Sequence, residues 1–127
     1  MERERTARCA CGALRVRCRG EPVKVSLCHC TACQRRTGSA FGIAAFFPRA
    51  AVAAEGESRS FERPSDSGHR VRFHFCPACG SSVFWEARRM PGLLAVAVGA
   101  FGDRDFPAPT QAVHRETRHR WLPPDRV

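Results

Sequence analysis

The chain has 127 residues, eight of them cysteine, and a formal charge of +9. A chain of this length suits one domain with one modest core, hiding about two thirds of its unfolded surface. No apolar run approaches the ~20 residues of a membrane span, and no apolar signal segment follows the charged start Met1-Glu2-Arg3-Glu4-Arg5, so a cytoplasmic protein is expected.

Residues 1–6 read as a frayed tail, as do residues 123–127. Cys9-Ala10-Cys11-Gly12 is a tight turn. In Ala13–Cys18, Leu14, Val16 and Cys18 alternate with Arg15 and Arg17, the period of a half-buried strand. A turn at Gly20-Glu21-Pro22 leads to a second strand over Val23–Leu27, which runs into Cys28-His29-Cys30-Thr31-Ala32-Cys33. Thr31 and Gln34 have the spacing of a capping box, so a short helix is predicted from Thr31 to Gly38, with Cys33 in its first turn. There the helix N-terminus would lower the thiol's pKa.

Further strands are predicted over Ala40–Phe47, stopped by Pro48, then Ala50–Glu55, Ser58–Glu62 and Arg70–Phe75. The last of these places Val71, Phe73 and Phe75 inward and delivers Cys76-Pro77-Ala78-Cys79-Gly80. Ser82–Glu86, Leu93–Val98 and Gln111–His114 complete the set. Strands at short intervals with turn residues between them predict a mainly β domain with one short helix after the central cysteine cluster. Trp85 and Trp121 are expected in the core. His69, His74 and His114 lack ligand spacing and are read as structural or exposed.

In a reducing compartment eight cysteines are metal ligands or catalytic groups before they are disulfides. Two clusters end in Cys-Gly, at Gly12 and Gly80. A metal knuckle folds back so that backbone N–H groups face sulfur, and the residue after its second cysteine tends to need positive φ. These knuckles pair into one closed site, Cys9, Cys11, Cys76 and Cys79. Cys28, Cys30 and Cys33 remain. Three ligands with an open position is the catalytic pattern for zinc, whereas four is the structural one. An ion held by three thiolates keeps little charge for activating water and suits a further soft ligand such as a substrate thiolate. Cys18 either closes this shell or is a small buried core residue. A redox dithiol at Cys30 and Cys33 is a third reading.

The ordered set Cys-x-Cys-Gly, Cys-His-Cys-x-x-Cys followed by Arg and Gly, and Phe-Cys-Pro-x-Cys-Gly-Ser resembles the glutathione-dependent formaldehyde-activating enzyme family, which includes the centromere protein V type. The resemblance spans roughly residues 7–121. It implies a single zinc-containing domain of Mss4-like, β-tent fold over residues 1–127. It also implies a structural zinc at Cys9, Cys11, Cys76 and Cys79 and a catalytic zinc at Cys28, Cys30 and Cys33, two ions in all. The implied activity is of the carbon–sulfur lyase type, joining formaldehyde to glutathione to give S-(hydroxymethyl)glutathione, or the reverse. On this reading Arg35 and Arg36 either receive a carboxylate in two-pronged fashion or are an exposed helix face. His29 is either a proton shuttle or a solvent-facing spacer. The alternative is a zinc-stabilised binding module for nucleic acid or protein. The positive charge is almost all arginine and spread along the chain, without the clustering of a nucleic-acid footprint.

Overall fold

The computed structural model describes residues 2–65 and 68–123. Ten strands and one α-helix follow in the order β1 (Glu4–Arg8), β2 (Arg15–Arg19), β3 (Lys24–Cys28), α1 (Thr31–Thr37), β4 (Gly42–Pro48), β5 (Val52–Glu55), β6 (Arg59–Pro64), β7 (Arg70–Phe75), β8 (Ser82–Ala87), β9 (Leu93–Ala97) and β10 (Gln111–Val113). They form a three-stranded sheet, β1-β2-β5, and a seven-stranded sheet, β10-β3-β4-β9-β8-β7-β6. All pairings are antiparallel except β10 with β3, where Gln111 lies opposite Ser26 and Val113 opposite Cys28.

Period-two alternation sorts the side chains onto faces. Ala7, Leu14, Val16 and Cys18 of the small sheet meet Val25, Ala45, Phe47, Leu94 and Val96 of the large one in the main core. Phe47 is fully buried there, a contribution of about 2–3 kcal/mol. The other face of the large sheet carries Ala44, Phe46, Phe73, Trp85 and Ala95, a second and smaller cluster. Residues from both edge strands, Gln111 of β10 and Arg63 of β6, line one cleft on this second face, so the sheet wraps around it.

Two expectations for the elements fail. Residues 4–6, part of the tail expected to fray, belong to strand Glu4–Arg8, which is in register with β2, Arg5 opposite Cys18 and Ala7 opposite Val16. Its inward positions are Arg5 and Ala7, a pattern that hides its periodicity. Buried Arg5 makes a two-pronged bond to Glu21, 3.2 Å on each arm, and lies over the Phe106 ring at 5.1 Å, while its Nε has no hydrogen-bond partner among the described residues. Trp121, expected in the core, is 70% exposed and leans on His119. The tail expected over 123–127 falls outside the described residues except for Pro123. No helix among the described residues is long and apolar enough to cross a membrane.

Candidate metal centres and substrate cleft

The knuckle site joins the two sheets. Cys9 and Cys11 sit in the β1–β2 turn, Cys76 and Cys79 in the β7–β8 turn. Their four sulfurs lie within 4.8 Å of one another. Cys11 Sγ is 3.6 Å from both Cys9 Sγ and Cys76 Sγ. Four thiolates at about 2.3 Å around a tetrahedral zinc stand about 3.8 Å apart, so this donor set fits such an ion. The glycines behave as expected, with φ of 83° at Gly12 and 79° at Gly80. The Leu14 N–H donates to Cys9 Sγ at 3.2 Å, the N–H-to-sulfur bond of a knuckle. Ser81 links the two turns. Its hydroxyl accepts from the Ala10 N–H at 3.1 Å and lies 3.3 Å from Cys79 Sγ. Together with its own N–H, that hydroxyl holds the Cys79 thiol down to about 5.

The second centre lies where β3 runs into α1. Cys28 ends β3, Cys30 caps the helix and Cys33 is in its first turn. Their sulfurs again lie within 4.8 Å of one another, and among the described residues no fourth Cys, His, Asp or Glu joins them. The cap differs from the expected one. The Cys33 N–H donates to Cys30 Sγ at 3.3 Å, so the helix opens on a sulfur and not on Thr31. Gln34, expected to close a capping box, instead donates to the carbonyls of His29 (2.8 Å) and Thr117 (3.0 Å). Thr117 Oγ1 donates to the same His29 carbonyl at 2.9 Å. The segment after β10 thereby straps the peptide between Cys28 and Cys30. The helix ends at Gly38, φ 66°, as expected.

The Cys33 thiol is drawn down to about 5, and the causes are local. The Cys28 thiol hydrogen-bonds to it and, against the cost of burial, Cys30 and the Arg36 guanidinium add to the effect. The same bond, followed by burial, pushes the Cys28 thiol up. Three crowded sulfurs thus share protons, and a divalent cation between them would let all three ionise. The donor set is all thiolate, which suits a soft or borderline metal such as zinc.

The trio forms one end of the cleft. Cys28, Cys30 and Cys33 line it together with Arg36 and the aromatic floor Phe46, Phe73 and Trp85. Arg36 lies over Trp85 at 4.3 Å and over Phe73 at 5.2 Å. Its Nε is buried without a hydrogen-bond partner among the described residues. Gly42 stands opposite Cys28 across the strand pair. A Cβ there would come within 2.8 Å of Arg36 Nη2 and 3.4 Å of Cys33 Cβ. This glycine lets α1 lie on the sheet. Its signal in the sequence is a glycine inside an otherwise apolar strand, a mark of close approach.

The remaining expected site residues separate. Arg35 is exposed and off the cleft. His29 is fully buried, edge-on to Phe41, so it is neither a spacer in solvent nor a lining group of the cleft. His74 is structural as read, 2.6 Å from Glu86 and stacked on Phe84. His114 lines the cleft, unforeseen, with its backbone at φ 55°. Trp85 belongs both to the second core cluster and to the cleft floor. Cys18 is fully buried between the sheets, apart from either sulfur set. Burial pushes its thiol up to about 12 in spite of nearby Arg5. Cys18→Ala is therefore expected to leave bound metal unchanged and to cost about 1 kcal/mol, the usual range for small core truncations. Metal analysis and a denaturant titration check this, and a lost metal ion would restore Cys18 as a ligand.

Comparison with known proteins agrees with this arrangement. A Rhodobacter sphaeroides protein from a structural genomics programme superposes with a TM-score of 0.63 at 20% identity, covering 84% of this chain and 98% of that one. At this identity the likeness concerns the fold. No curated protein matches the chain. The sequence profile of the glutathione-dependent formaldehyde-activating enzymes matches residues 4–117, a span that holds every strand and both sulfur sets. The mainly β architecture with one short helix is the Mss4-like, β-tent fold expected for that family, and its two cysteine clusters could each hold a metal ion. The chain belongs to the glutathione-dependent formaldehyde-activating enzyme family.

Proposed function

We propose that the protein is a zinc-dependent enzyme of the carbon–sulfur lyase type, acting on a thiol or thiol–aldehyde adduct in the manner of an S-(hydroxymethyl)glutathione synthase. One observation carries the reading. Three sulfurs with no fourth protein ligand among the described residues face a cleft, while the four-sulfur set is used up in holding the sheets together. In this reading Cys9, Cys11, Cys76 and Cys79 hold a structural zinc and Cys28, Cys30 and Cys33 a catalytic one. Zinc at the trio supplies a coordination position that favours the ionised form of a visiting sulfur.

The chain's own residues do the rest. The aromatic floor excludes water around the reacting atoms. Arg36 places a fixed positive charge beside Cys33, where negative charge gathers. In the forward direction a carbon–sulfur bond forms between the thiol sulfur and the aldehyde carbon, and the thiol's proton ends on the aldehyde oxygen. In reverse the hydroxyl proton returns and the same bond breaks. All eight cysteines are free thiols, which fits a reducing, cytoplasmic setting.

The test combines a metal count with exchange spectroscopy of formaldehyde and glutathione. Two zinc ions per chain and exchange at least tenfold faster than in buffer are expected, with the acceleration lost in Cys30→Ala. One zinc, no glutathione binding by titration calorimetry and salt-sensitive DNA binding would favour the binding module instead.

A further inference from the structure

We propose that Gln34 is a positioning residue of the sulfur trio: its side-chain amide locks the segment after β10 onto the loop between Cys28 and Cys30, and this lock sets how tightly the trio holds its ion. The metal part of this inference rests on the function proposed above; the lock itself stands on hydrogen bonds.

Gln34 is half-buried in the first turn of α1, directly after Cys33. An amide side chain offers two donor hydrogens and an acceptor oxygen, and here all are engaged. Nε2 donates to the carbonyls of His29 at 2.8 Å and Thr117 at 3.0 Å, and Oε1 accepts from His119 Nε2 at 3.0 Å. The partners fix its orientation, since the flipped amide would set oxygen against two carbonyls. Thr117 and His119 lie 83 and 85 residues further along the chain. One side chain therefore joins the ligand loop to a distant segment.

The pinned peptides are the ones that carry the ligands. The His29 carbonyl belongs to the peptide that leads into Cys30. It accepts from Gln34 and also from Thr117 Oγ1 at 2.9 Å, so both its lone pairs are used. The His29 N–H, in the peptide that leads out of Cys28, donates to the Val113 carbonyl at 3.1 Å. A peptide unit is planar and stiff, so holding one of its polar atoms holds the Cα at either end. The spacing of Cys28 and Cys30 is thus set by Gln34, Val113 and Thr117. Cys33 is tied to the same unit by its N–H bond to Cys30 Sγ and by its place beside Gln34.

The knuckle is braced differently. Among the described residues its supports come from the β1–β2 connection and the β7–β8 turn themselves, through Leu14 and Ser81. The trio has one ligand fewer to define its geometry and leans on a remote segment instead. Outer hydrogen bonds that orient metal ligands are typically worth about 10–100-fold in affinity. Linkage makes the effect reciprocal: an ion that prefers the locked form must tighten the lock by the same factor.

The test measures zinc affinity of the full-length protein by competition with a chromophoric chelator, and hydrogen exchange over residues 111–119. Cobalt substitution tells the two ions apart, because three-sulfur and four-sulfur sites absorb differently. Gln34→Ala is expected to weaken the trio's ion about 10–100-fold and to leave the knuckle's ion unchanged. Gln34→Glu, equal in size but without donors, should do no better. Thr117→Val should weaken the same ion about tenfold, and Thr117→Ser should restore it. In the parent, loading the trio should slow exchange over 111–119; in Gln34→Ala it should not. A mere brace of the fold would weaken both ions together, and that result overturns the inference. Parent affinity for both ions in Gln34→Ala and Thr117→Val overturns it as well. If Gln34→Ala does not fold, Thr117→Val decides alone. If the variants behave as expected but the parent does not accelerate thiol–aldehyde exchange, the lock stands and the enzymatic function falls. If the parent holds the knuckle ion alone, both fall.

Discussion

Replacing Cys76 with serine is expected to abolish cooperative folding, whereas the same exchange at Cys30 is expected to leave a folded protein with one metal fewer. Cys76 is 1% exposed and belongs to the main core as well as to the knuckle. Its turn is held to the β1–β2 turn chiefly by the shared sulfurs and the Ala10–Ser81 bond. Structural zinc sites contribute on the order of 10 kcal/mol. That matches the whole net stability of an ordinary domain, about 5–15 kcal/mol. Losing one ligand of four leaves three crowded thiols without a cation, in the place where the two sheets must meet. Circular dichroism melts of both variants, with metal analysis of the soluble fraction, make the comparison. A Cys76→Ser protein that melts within a few degrees of the parent would show that the apolar core alone holds the sheets.

The second large effect is expected at Arg36. Arg36→Ala should slow thiol–aldehyde exchange on the order of 100-fold, while Arg35→Ala changes it less than twofold. Arg36 stacks on two rings at one end of the cleft and stands beside Cys33. A desolvated cation–π contact is worth roughly 1–2 kcal/mol. Adding the charge it places beside the reacting sulfur gives a loss of about 2–3 kcal/mol, near two powers of ten in rate. Arg36→Lys should recover little, because an ammonium does not stack as a planar guanidinium does. Exchange spectroscopy with metal content measured in parallel separates this role from simple metal loss. An Arg36→Ala protein within threefold of the parent, metal intact, would remove Arg36 from the chemistry.

These two residues also mark what could be read from the sequence. The knuckle partition was legible because its turn chemistry is local: Gly12 and Gly80 carry positive φ in the residue itself. The strand over 70–75 was legible because Val71 and Phe73 alternate with arginines. Arg35 and Arg36 were not separable, since neighbouring helix positions differ only in which face the sheet covers, and that depends on Gly42 beneath. β1 was hidden because its inward residues are Arg5 and Ala7, and an arginine is accommodated there by its bond to Glu21 and the Phe106 ring. The helix begins at Thr31 as predicted, but its cap was misassigned by one residue because Cys30 Sγ takes the role that the template assigns to a hydroxyl. The cleft was invisible for another reason. Lys24, Arg63 and Arg89 come to line one cavity only when the large sheet wraps.

The parallel pairing of β10 with β3 sets an order of assembly. The bond from Gln111 to Ser26 spans 85 residues, and long-range parallel pairing forms slowly. A chain emerging from the ribosome has all four knuckle ligands in hand by Cys79, yet the wall beside Cys28 and the strap over His29 wait for residues 111–117. On the proposed function, the nascent domain would capture its structural ion first and become chemically competent last. A fragment cut short before Gln111 would be a metal-holding scaffold with an unfinished pocket.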